Sequence, residues 1–362
     1  MFKKILMFVI AAFIFADSSF GQQQRQEDCV SDLRKNAGPG VDRVLLQQRI
    51  NELGRNASLP YTMRIQVIVF YTTTPTVTDT QILRNITEMA GYYRPHNICF
   101  VLSDIEYVQD ADMADFSVAE ENKLLPYTRP YYISIFIHEN LPGLYGTAYA
   151  IPNTYMSMVD DAIFNVANRS VLAHEMGHCM ALYHTFETYL GTEHPARTGS
   201  CKNCETDGDL LCDTQADRQI LPSLIDALCN YTGKDSSSCS TSANVPLVME
   251  TKNIMSYGRD LCHDHFSAGQ GGRMRDFILT ETMLYNCIAP GVITIAQTNN
   301  STGGSYSVTS KELINVTSPS YNISGSAKMR MTSRKIRIGP GSSFKPTVAG
   351  GLVRLLPNPN CQ

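Results

Sequence analysis

Three histidines and one glutamate form the group of side chains in this sequence that is best suited to chemistry. Residues 171–186 read VLAHEMGHCMALYHTF and contain the pattern HExxHxxxxxH. On an α-helix, His174 and His178 lie one turn apart on the same face, so both imidazoles can bind one metal ion. Glu175 is rotated by about 100° from His174, which places its carboxylate beside the metal. The pattern predicts a metal-dependent hydrolytic site in which Glu175 is the general base.

The third histidine completes the predicted metal site. A continuous helix would carry His184 away from the metal, so the helix must end after His178 and the chain must turn back. Three protein ligands and one open position are typical of a catalytic zinc, whereas a structural zinc has four protein ligands. Glutamates further along the chain are alternative third ligands, namely Glu187, Glu193 and Glu205. We favour His184, because its spacing already supplies the third ligand.

The segments on either side of this motif predict the elements that must position it. Ser170 is the expected N-cap of the histidine helix. Alternating and helical spacing of apolar residues predicts strands and helices in the order that is typical of an α/β half-domain. The predicted segments are strands at 63–71, 98–108 and 131–138, a helix at 78–92 and a closing helix at 273–286.

Composition divides the chain into segments. Lys3 and Lys4, an apolar run and small residues before Gln22 are typical of a signal peptide. The apolar run is about a dozen residues, short of the roughly 20 that a membrane span needs, so we expect a secreted or cell-surface protein without a membrane span. The expected segments are a signal peptide at 1–21, a leader or propeptide at 22–59, a catalytic domain at 60–287 and a small all-β module at 288–362.

Charge and cysteine content add two expectations. The last segment contains four Lys and four Arg against Glu312 alone, so it has a net charge of +7 and the preceding residues have −11. This asymmetry predicts two parts with different surfaces and gives no indication of nucleic-acid binding. No internal repeat is clear in the last segment. The 11 cysteines of the chain favour disulfides and an oxidising compartment, and six of them are close together: Cys201, Cys204, Cys212, Cys229, Cys239 and Cys262.

Four motifs in order resemble the pappalysin family of metzincins, the cytophagalysin or ulilysin-type metalloproteases. They are HEMGHCMALYHTF (174–186), GDLLCDT (208–214), NIMSYGRDLC (253–262) and HFSAGQGGRMR (265–275). The resemblance covers about residues 60–287 and implies a metzincin-like α/β (α+β) domain, with a mixed sheet, an active-site helix and an irregular disulfide-rich lower subdomain. It also implies that Met255 lies under the zinc as an apolar floor, and that Tyr257 stabilises the tetrahedral intermediate.

The same resemblance implies further sites. Asp209, the Cys212 carbonyl and Thr214 match positions that bind calcium in relatives, and oxygen ligands suit this hard cation. Family pairing implies Cys204–Cys239 and Cys229–Cys262 disulfides, which would leave Cys201 to pair with Cys212. Relatives are zymogens, and Cys29 in the leader is the expected zinc ligand of a latency switch, since a thiolate is a good fourth ligand.

Three departures from the family pattern stand out. Ala181 occupies the position of the glycine that follows the second histidine, where a left-handed backbone would cost an alanine on the order of 1 kcal/mol or more. Val30 follows Cys29 where a glycine is usual. Cys179, where relatives often have an aromatic residue, is expected to be a buried free thiol.

These observations predict a zinc endopeptidase that cleaves protein or peptide substrates bound as an added strand along the sheet edge. An alternative is a catalytically silent binding or adhesion protein on the same scaffold, but the retained Glu175 argues against it. A third hypothesis is a metallohydrolase, such as an amidase, that acts on a non-peptide substrate. Cleavage specificity and oligomeric state cannot be read from the residues.

Overall fold

The computed structural model describes residues 44–45, 47–48, 60–239, 242–346 and 352–357. The expected signal peptide, most of the expected leader and Cys29 lie outside these residues. Within the described part of the chain, no helix combines the length and the apolar character that a membrane crossing requires.

The described residues between 60 and 287 contain one five-stranded sheet and six α-helices. The strands are β1 Tyr61–Tyr71, β2 Ile98–Gln109, β3 Ile133–His138, β4 Gly146–Ala148 and β5 Tyr155–Val159. The helices are α1 Asp79–Tyr93, α2 Ala111–Ala114, α3 Asp161–Phe164, α4 Val171–Cys179, α5 Ala268–Thr280 and α6 Thr282–Tyr285. Short 3-10 segments occur at Arg94–His96, Val118–Tyr127, Val166–Asn168, Pro222–Leu224 and Asp260–Cys262.

The closing helix differs from its predicted bounds. It begins at Ala268, because Ser267 and Gln270 form a reciprocal capping box that starts the helix within a glycine-rich stretch. The helix is then interrupted after Thr280, and a short second helix follows. The predicted start at Arg273 was therefore too late.

The sheet has the strand order β2-β1-β3-β5-β4. The first four strands of this order are parallel, and β4 at the edge is antiparallel to β5. All six residues of β3 are buried, as expected for a strand covered on both faces. The expectation of a mixed sheet with an active-site helix is confirmed.

Two hydrogen bonds attach the first turn of helix α4 to its neighbours, one at Ala173 and one at Ser170. The buried Tyr93 hydroxyl at the end of α1 donates a hydrogen bond to the Ala173 carbonyl at 2.8 Å, immediately before His174. Ser170 is the N-cap residue, as predicted, but its side chain does not cap the helix. Its hydroxyl donates instead to Asp260 at 2.9 Å, so it connects α4 to the loop that follows Tyr257.

Disulfides cross-link the irregular region between α4 and α5. Cys229 is bonded to Cys262, the pairing that the resemblance implied. The implied Cys204–Cys239 pairing and the Cys201–Cys212 pairing are wrong, because the structure joins Cys201 to Cys239 and Cys204 to Cys212. The Thr206 and Asp207 amides both donate to the Asn203 carbonyl at 2.9 Å, which closes a turn at the start of the loop between Cys204 and Cys212. The free cysteines among the described residues are Cys179 and Cys287, both buried.

The C-terminal segment is a parallel β-solenoid. Its strands are β8 Val292–Ile295, β9 Asn299–Ser301, β10 Ser305–Thr309, β11 Leu313–Val316, β12 Tyr321–Gly325, β13 Lys328–Ser333, β14 Lys335–Ile338, β15 Ser342–Pro346 and β16 Leu352–Pro357, and a hairpin of β6 Ser236–Cys239 and β7 Ser242–Pro246 precedes them. Every third strand pairs in parallel, which forms three sheets from three coils in the described residues. The all-β expectation is confirmed, but the expectation of no clear repeat is wrong.

The repeat was missed because it preserves strand position rather than residue identity. The first strands of the three coils begin at Val292, Leu313 and Lys335, which is a spacing of 21 and then 22 residues. Among the residues that the structure describes, the middle coil alone has a continuous set of buried apolar side chains, since it lies between the other two. Its buried residues are Ile314, Val316, Tyr321, Ile323, Ala327, Met329 and Met331.

The solenoid contacts β2, the sheet edge opposite β4. Ser103 lies at a bulge where the β1–β2 register shifts, and it is fully buried. Its hydroxyl shares a 2.6 Å hydrogen bond with the Thr309 hydroxyl of the solenoid. Arg330 forms an ion pair with Asp104 and donates to the Ser103 carbonyl at 3.4 Å. Solenoid side chains therefore form hydrogen bonds with Ser103, the residue that the bulge removes from the β1–β2 pairing.

Candidate active site

The three histidines of the motif converge on one point. The Nε2 atom of His178 lies 3.1 Å from those of His174 and His184, and the latter two are 3.2 Å apart. Zinc–nitrogen bonds of about 2.0–2.1 Å in a tetrahedron require nitrogens about 3.3 Å from one another. The observed spacing therefore fits a single ion bound by all three rings.

Hydrogen bonds to carbonyls determine which nitrogens carry protons. The Nδ1 atom of His174 donates to the Ile254 carbonyl at 2.7 Å, and that of His178 donates to the Leu182 carbonyl at 2.9 Å. Because a carbonyl only accepts, each Nδ1 carries the hydrogen and each Nε2 presents a lone pair. Lone pairs that face each other at such distances repel, and a bound cation removes this repulsion.

Burial keeps these rings neutral. It lowers the pKa of His174 to about 4, although the bond to the Ile254 carbonyl opposes the shift. Burial together with the adjacent His174 ring lowers the pKa of His178 to about 3. The pKa of His184 is also well below its ordinary value, because of burial and the two neighbouring rings. Neutral imidazoles are the form that binds metal.

A tight turn after α4 brings His184 back to the other two rings. The amides of Ala181 and Leu182 donate to the His178 and Gly177 carbonyls, which closes the helix end. Ala181 adopts a φ of 73°, the left-handed conformation that the family's glycine would adopt more easily. Arg273 of α5 supports the turn, since its Nε atom donates to the Ala181 carbonyl at 2.6 Å.

Glu175 is buried beside the edge strand β4. A Cβ atom at Gly146, the first residue of β4, would lie 2.7 Å from Glu175 Cγ and 3.1 Å from its Oε1. The strand therefore approaches this carboxylate as closely as a glycine backbone permits. Residue types and helical spacing indicated Glu175, whereas nothing in the sequence indicated Gly146.

Met255 packs beneath the histidine helix. The residue is fully buried, and its Sδ atom fills the space where a side chain at Gly177 would lie, 2.5 Å from an added Cβ. The preceding residue, Ile254, supplies the carbonyl that orients His174. The turn around Met255 thus contacts the site both through packing and through a hydrogen bond to a ring that faces the metal position.

Tyr257 lies against the third histidine. Its ring centroid is 5.0 Å from that of His184 and 6.1 Å from that of His174. Phe186 completes this cluster, because its ring stacks on His184 at 4.7 Å and contacts Tyr257 at 4.5 Å. The sequence analysis did not identify Phe186, although it lies only two residues after His184.

Asp217 is another residue that the sequence analysis missed. Its Oδ2 atom accepts hydrogen bonds from the Thr185 hydroxyl at 2.8 Å and from the Ser256 hydroxyl at 2.7 Å. Burial raises its pKa to about 6, while these two hydroxyls and the Arg218 amide oppose the shift. No spacing rule connects residue 217 to the histidine motif, so only the folded chain brings these groups together.

Asp209, one of the residues expected at a calcium site, forms a buried acidic pair with Glu193. Asp209 Oδ1 accepts hydrogen bonds from the Leu211 amide and the Thr214 hydroxyl, both at 3.0 Å. Asp209 Oδ2 and Glu193 Oε2 have no hydrogen-bond partner among the described residues. Burial raises the pKa of both carboxyls to about 7, and the Glu193 charge raises that of Asp209 further. Cys212 lies in this loop, bonded to Cys204.

The alternative zinc ligands have other partners. Glu187 Oε1 accepts from the Thr188 and Tyr189 amides of its own turn. Glu205 forms an exposed ion pair with Lys202, whereas the buried Glu193 carboxylate forms an ion pair with Arg197 at 2.9 Å. A second group with metal-ligand spacing consists of His194, Cys201 and Cys239, but the disulfide between the two cysteines removes their thiolates.

Comparison with known proteins identifies relatives of this region. Residues 145–279 match a family model described as pregnancy-associated plasma protein-A. Extracellular metalloproteases of Neurospora crassa and Sordaria macrospora are each 26% identical over 220 residues, which is 56% of this chain and 67% of the relative. The region that the family model matches contains the histidine motif and the turn around Met255.

Two solved structures are also similar. Mirolysin bound to a compound has a TM-score of 0.46 at 20% identity and covers 63% of this chain and 96% of its own. A promirolysin variant from Tannerella forsythia has a TM-score of 0.47 at 18% identity and covers 68% of this chain and 92% of its own. The family match and the site that it spans identify the chain as a metalloendopeptidase whose residues 145–279 are similar to the pappalysin family, within the metzincins.

Proposed function

We propose that the chain is an exported endopeptidase that uses one zinc ion, held by His174, His178 and His184. The observation that carries this proposal is the convergence of three Nε2 atoms within 3.2 Å of one another, two of them oriented by carbonyl acceptors. When bound, zinc supplies Lewis acidity, which polarises the scissile carbonyl and lowers the pKa of water towards about 7.

Glu175 is the proposed general base. Its side chain is buried, adjacent in sequence to His174 and in contact with the edge strand along which a substrate would lie. A carboxylate in this position takes a proton from the attacking water and returns it to the leaving amine. Tyr257, whose ring packs against His184, is the proposed donor of a hydrogen bond to the oxygen that becomes negative in the transition state.

The substrate is proposed to bind as an extended strand beside β4. This strand is the last in the sheet and pairs with β5 on one side only among the described residues. An edge strand offers unpaired amides and carbonyls to a peptide backbone. Gly146 at the start of β4 would then place the scissile bond next to Glu175.

Export is supported by the N-terminal residues and by the relatives. The relatives from Neurospora crassa and Sordaria macrospora are named extracellular metalloproteases. The disulfides around Cys201 and Cys229 suit an oxidising compartment. Cys29 remains a proposed latency ligand, and faster self-activation of a Cys29→Ala variant would support that role.

The test of this function is the comparison of two isosteric substitutions. Glu175→Gln should retain zinc but lower kcat/KM on an unstructured protein such as casein by about 10²–10⁴-fold, because the proton acceptor is lost. Glu187→Gln is the matched control and should cleave as the wild type does, since an amide oxygen can still accept from the Thr188 and Tyr189 amides. A chelator should abolish cleavage by the wild type, and added zinc should restore it.

The outcomes separate the alternatives. Equal cleavage by the Glu175→Gln variant and the wild type would overturn the role of Glu175. A correctly processed wild type that binds proteins but cleaves none would support the silent binding protein. Loss of zinc on Glu187→Gln would favour the alternative third ligand.

A calcium ion is proposed for the acidic pair Asp209 and Glu193. Two buried carboxylate oxygens without hydrogen-bond partners among the described residues fit a hard cation, and the Thr214 hydroxyl is a further oxygen nearby. Calcium titrated into chelated protein should raise its melting temperature, and Asp209→Asn should abolish the increase. An equal increase in the Asp209→Asn variant would contradict this site.

A further inference from the structure

One carboxylate connects the two loops that complete the active site. Asp217 Oδ2 accepts from the Thr185 hydroxyl, next to His184, and from the Ser256 hydroxyl, next to Tyr257. Thr185 and Ser256 are both buried, with 1% of their surface exposed. Asp217 is fixed by its own loop, because its Oδ1 atom accepts from the Arg218 amide at 2.7 Å.

We propose that Asp217 is a positioning residue that holds His184 and Tyr257 at a constant separation through these two hydroxyls. The proposal rests on the zinc-dependent function above, since it assigns Asp217 a role in that same site. Asp217 is not expected to contact the substrate or the metal.

The three rings of the metal site are oriented in different ways. His174 and His178 each donate to a backbone carbonyl, which fixes the ring directly. The orientation of His184 depends on its stack with Phe186 and on the loop that carries it. Anchoring of that loop therefore has a larger effect on His184 than on the other two rings.

A backbone hydrogen bond and a side-chain bridge join this loop to the turn around Met255. The Thr185 amide donates to the Met255 carbonyl at 3.1 Å, and Asp217 bridges the side chains of Thr185 and Ser256. Hydrogen bonds to an ionised carboxylate are roughly twice as strong as those between neutral groups. Without the carboxylate, two buried hydroxyls would lose their acceptor, and the loops would retain the single backbone bond.

The experiment compares three variants with the wild type. Asp217→Ala removes the acceptor, and the double variant Thr185→Val with Ser256→Ala removes the two donors while leaving Asp217 in its loop. Asp226→Asn is the control, because Asp226 is an acid of the same irregular region whose carboxylate accepts hydrogen bonds, within the described part of the chain, from Leu228 and Asn230 of its own turn. Circular dichroism confirms that each variant is folded.

The first measurement is hydrogen exchange in the metal-free protein. The Thr185 amide and the amides around Ser256 should exchange at least about 10-fold faster in Asp217→Ala and in the double variant, because local opening becomes easier. Exchange in α1, which forms no hydrogen bond to these loops among the described residues, should not change. Asp226→Asn should match the wild type in both regions.

The second measurement is made on the zinc-loaded enzyme. Zinc should transfer to a chelator about 10–100-fold faster in Asp217→Ala and in the double variant, and kcat should fall by a similar factor with little change in KM. If Asp217→Ala is unfolded, the double variant alone decides the outcome. Wild-type exchange, zinc release and kcat in the double variant would overturn the role of Asp217, whereas a wild type that lacks zinc or activity would overturn the proposed function instead.

Discussion

The contact between Gly146 and Glu175 makes the effect of one methyl group predictable. Gly146→Ala adds a Cβ atom that would lie 2.7 Å from Glu175 Cγ and 2.9 Å from Met158 Sδ. Carbon atoms that do not share a bond are at their optimum at about 3.5–4.0 Å, so the neighbours must move by about 1 Å. The Met158 side chain is flexible and can move. The Glu175 side chain, in contrast, is buried between its own helix α4 and the strand β4.

The expected cost of Gly146→Ala has two parts. Overpacking of a buried contact lowers the free energy of unfolding by about 1–3 kcal/mol, which corresponds to a decrease in melting temperature of about 2–4 °C per kcal/mol in a domain of this size. A displacement of about 1 Å at a catalytic group can reduce the rate about 10²-fold. We therefore expect kcat/KM to fall by about that factor, well beyond the effect of the reduced stability at 25 °C.

The assay measures peptide cleavage and thermal unfolding of the purified enzyme. The matched control is Gly91→Ala on the exposed side of α1, where an added Cβ atom has no neighbour within 4 Å. This control should cleave normally and be more stable by up to about 1 kcal/mol, since alanine is the better helix former. Gly146→Ala with wild-type kcat/KM would refute the reasoning, because Glu175 would then tolerate a displaced side chain or strand.

Three further predictions concern stability. Ala181→Gly should raise the free energy of unfolding by about 1 kcal/mol, because the φ of 73° no longer opposes a Cβ atom, and an unchanged urea midpoint would contradict this. Arg330→Asp should lower the melting temperature by repelling Asp104, and Asp104→Arg in the same chain should recover part of the loss. If the single and double variants melt alike, the solenoid does not stabilise the catalytic region through this pair. In calcium-free buffer, stability should fall as the pH rises from about 4 to 7, because Asp209 has an ordinary pKa of 3.8 and a folded pKa of about 7, so the folded state retains a proton that the unfolded state has lost. Asp209→Asn should flatten this part of the pH profile, and an unchanged slope in that variant would assign the effect to other groups.

The sequence was most informative where short-range spacing determines geometry. His174, Glu175 and His178 lie on one helical turn, so their relative placement follows from helix periodicity. The strands at β1 to β3 were also predicted to within about two residues, since their apolar residues follow the pattern of buried strands. Even the strain at Ala181 was foreseeable, because the family pattern has a glycine there.

Pairings between distant residues were predicted less well. Two of the three expected disulfides in the lower region were wrong, because cysteine spacing does not determine which turns bring the sulfurs together. The closing helix was placed too late, because glycines obscured a start that the capping residues Ser267 and Gln270 provide. The coils of the solenoid were missed, since their repeat is one of strand position and the strands are short.

The sequence by itself determined the proposed chemistry of this protein: three imidazoles spaced to share one metal ion, a carboxylate beside them, and strands of a sheet earlier in the chain. These follow from residue type and local periodicity, which act over one or two helical turns. Only the tertiary structure decided that Gly146 touches Glu175, that Asp217 bridges the loops of His184 and Tyr257, and that a solenoid covers β2. The physical reason is that such contacts join residues far apart in the chain, and their geometry is set by the packing of whole elements.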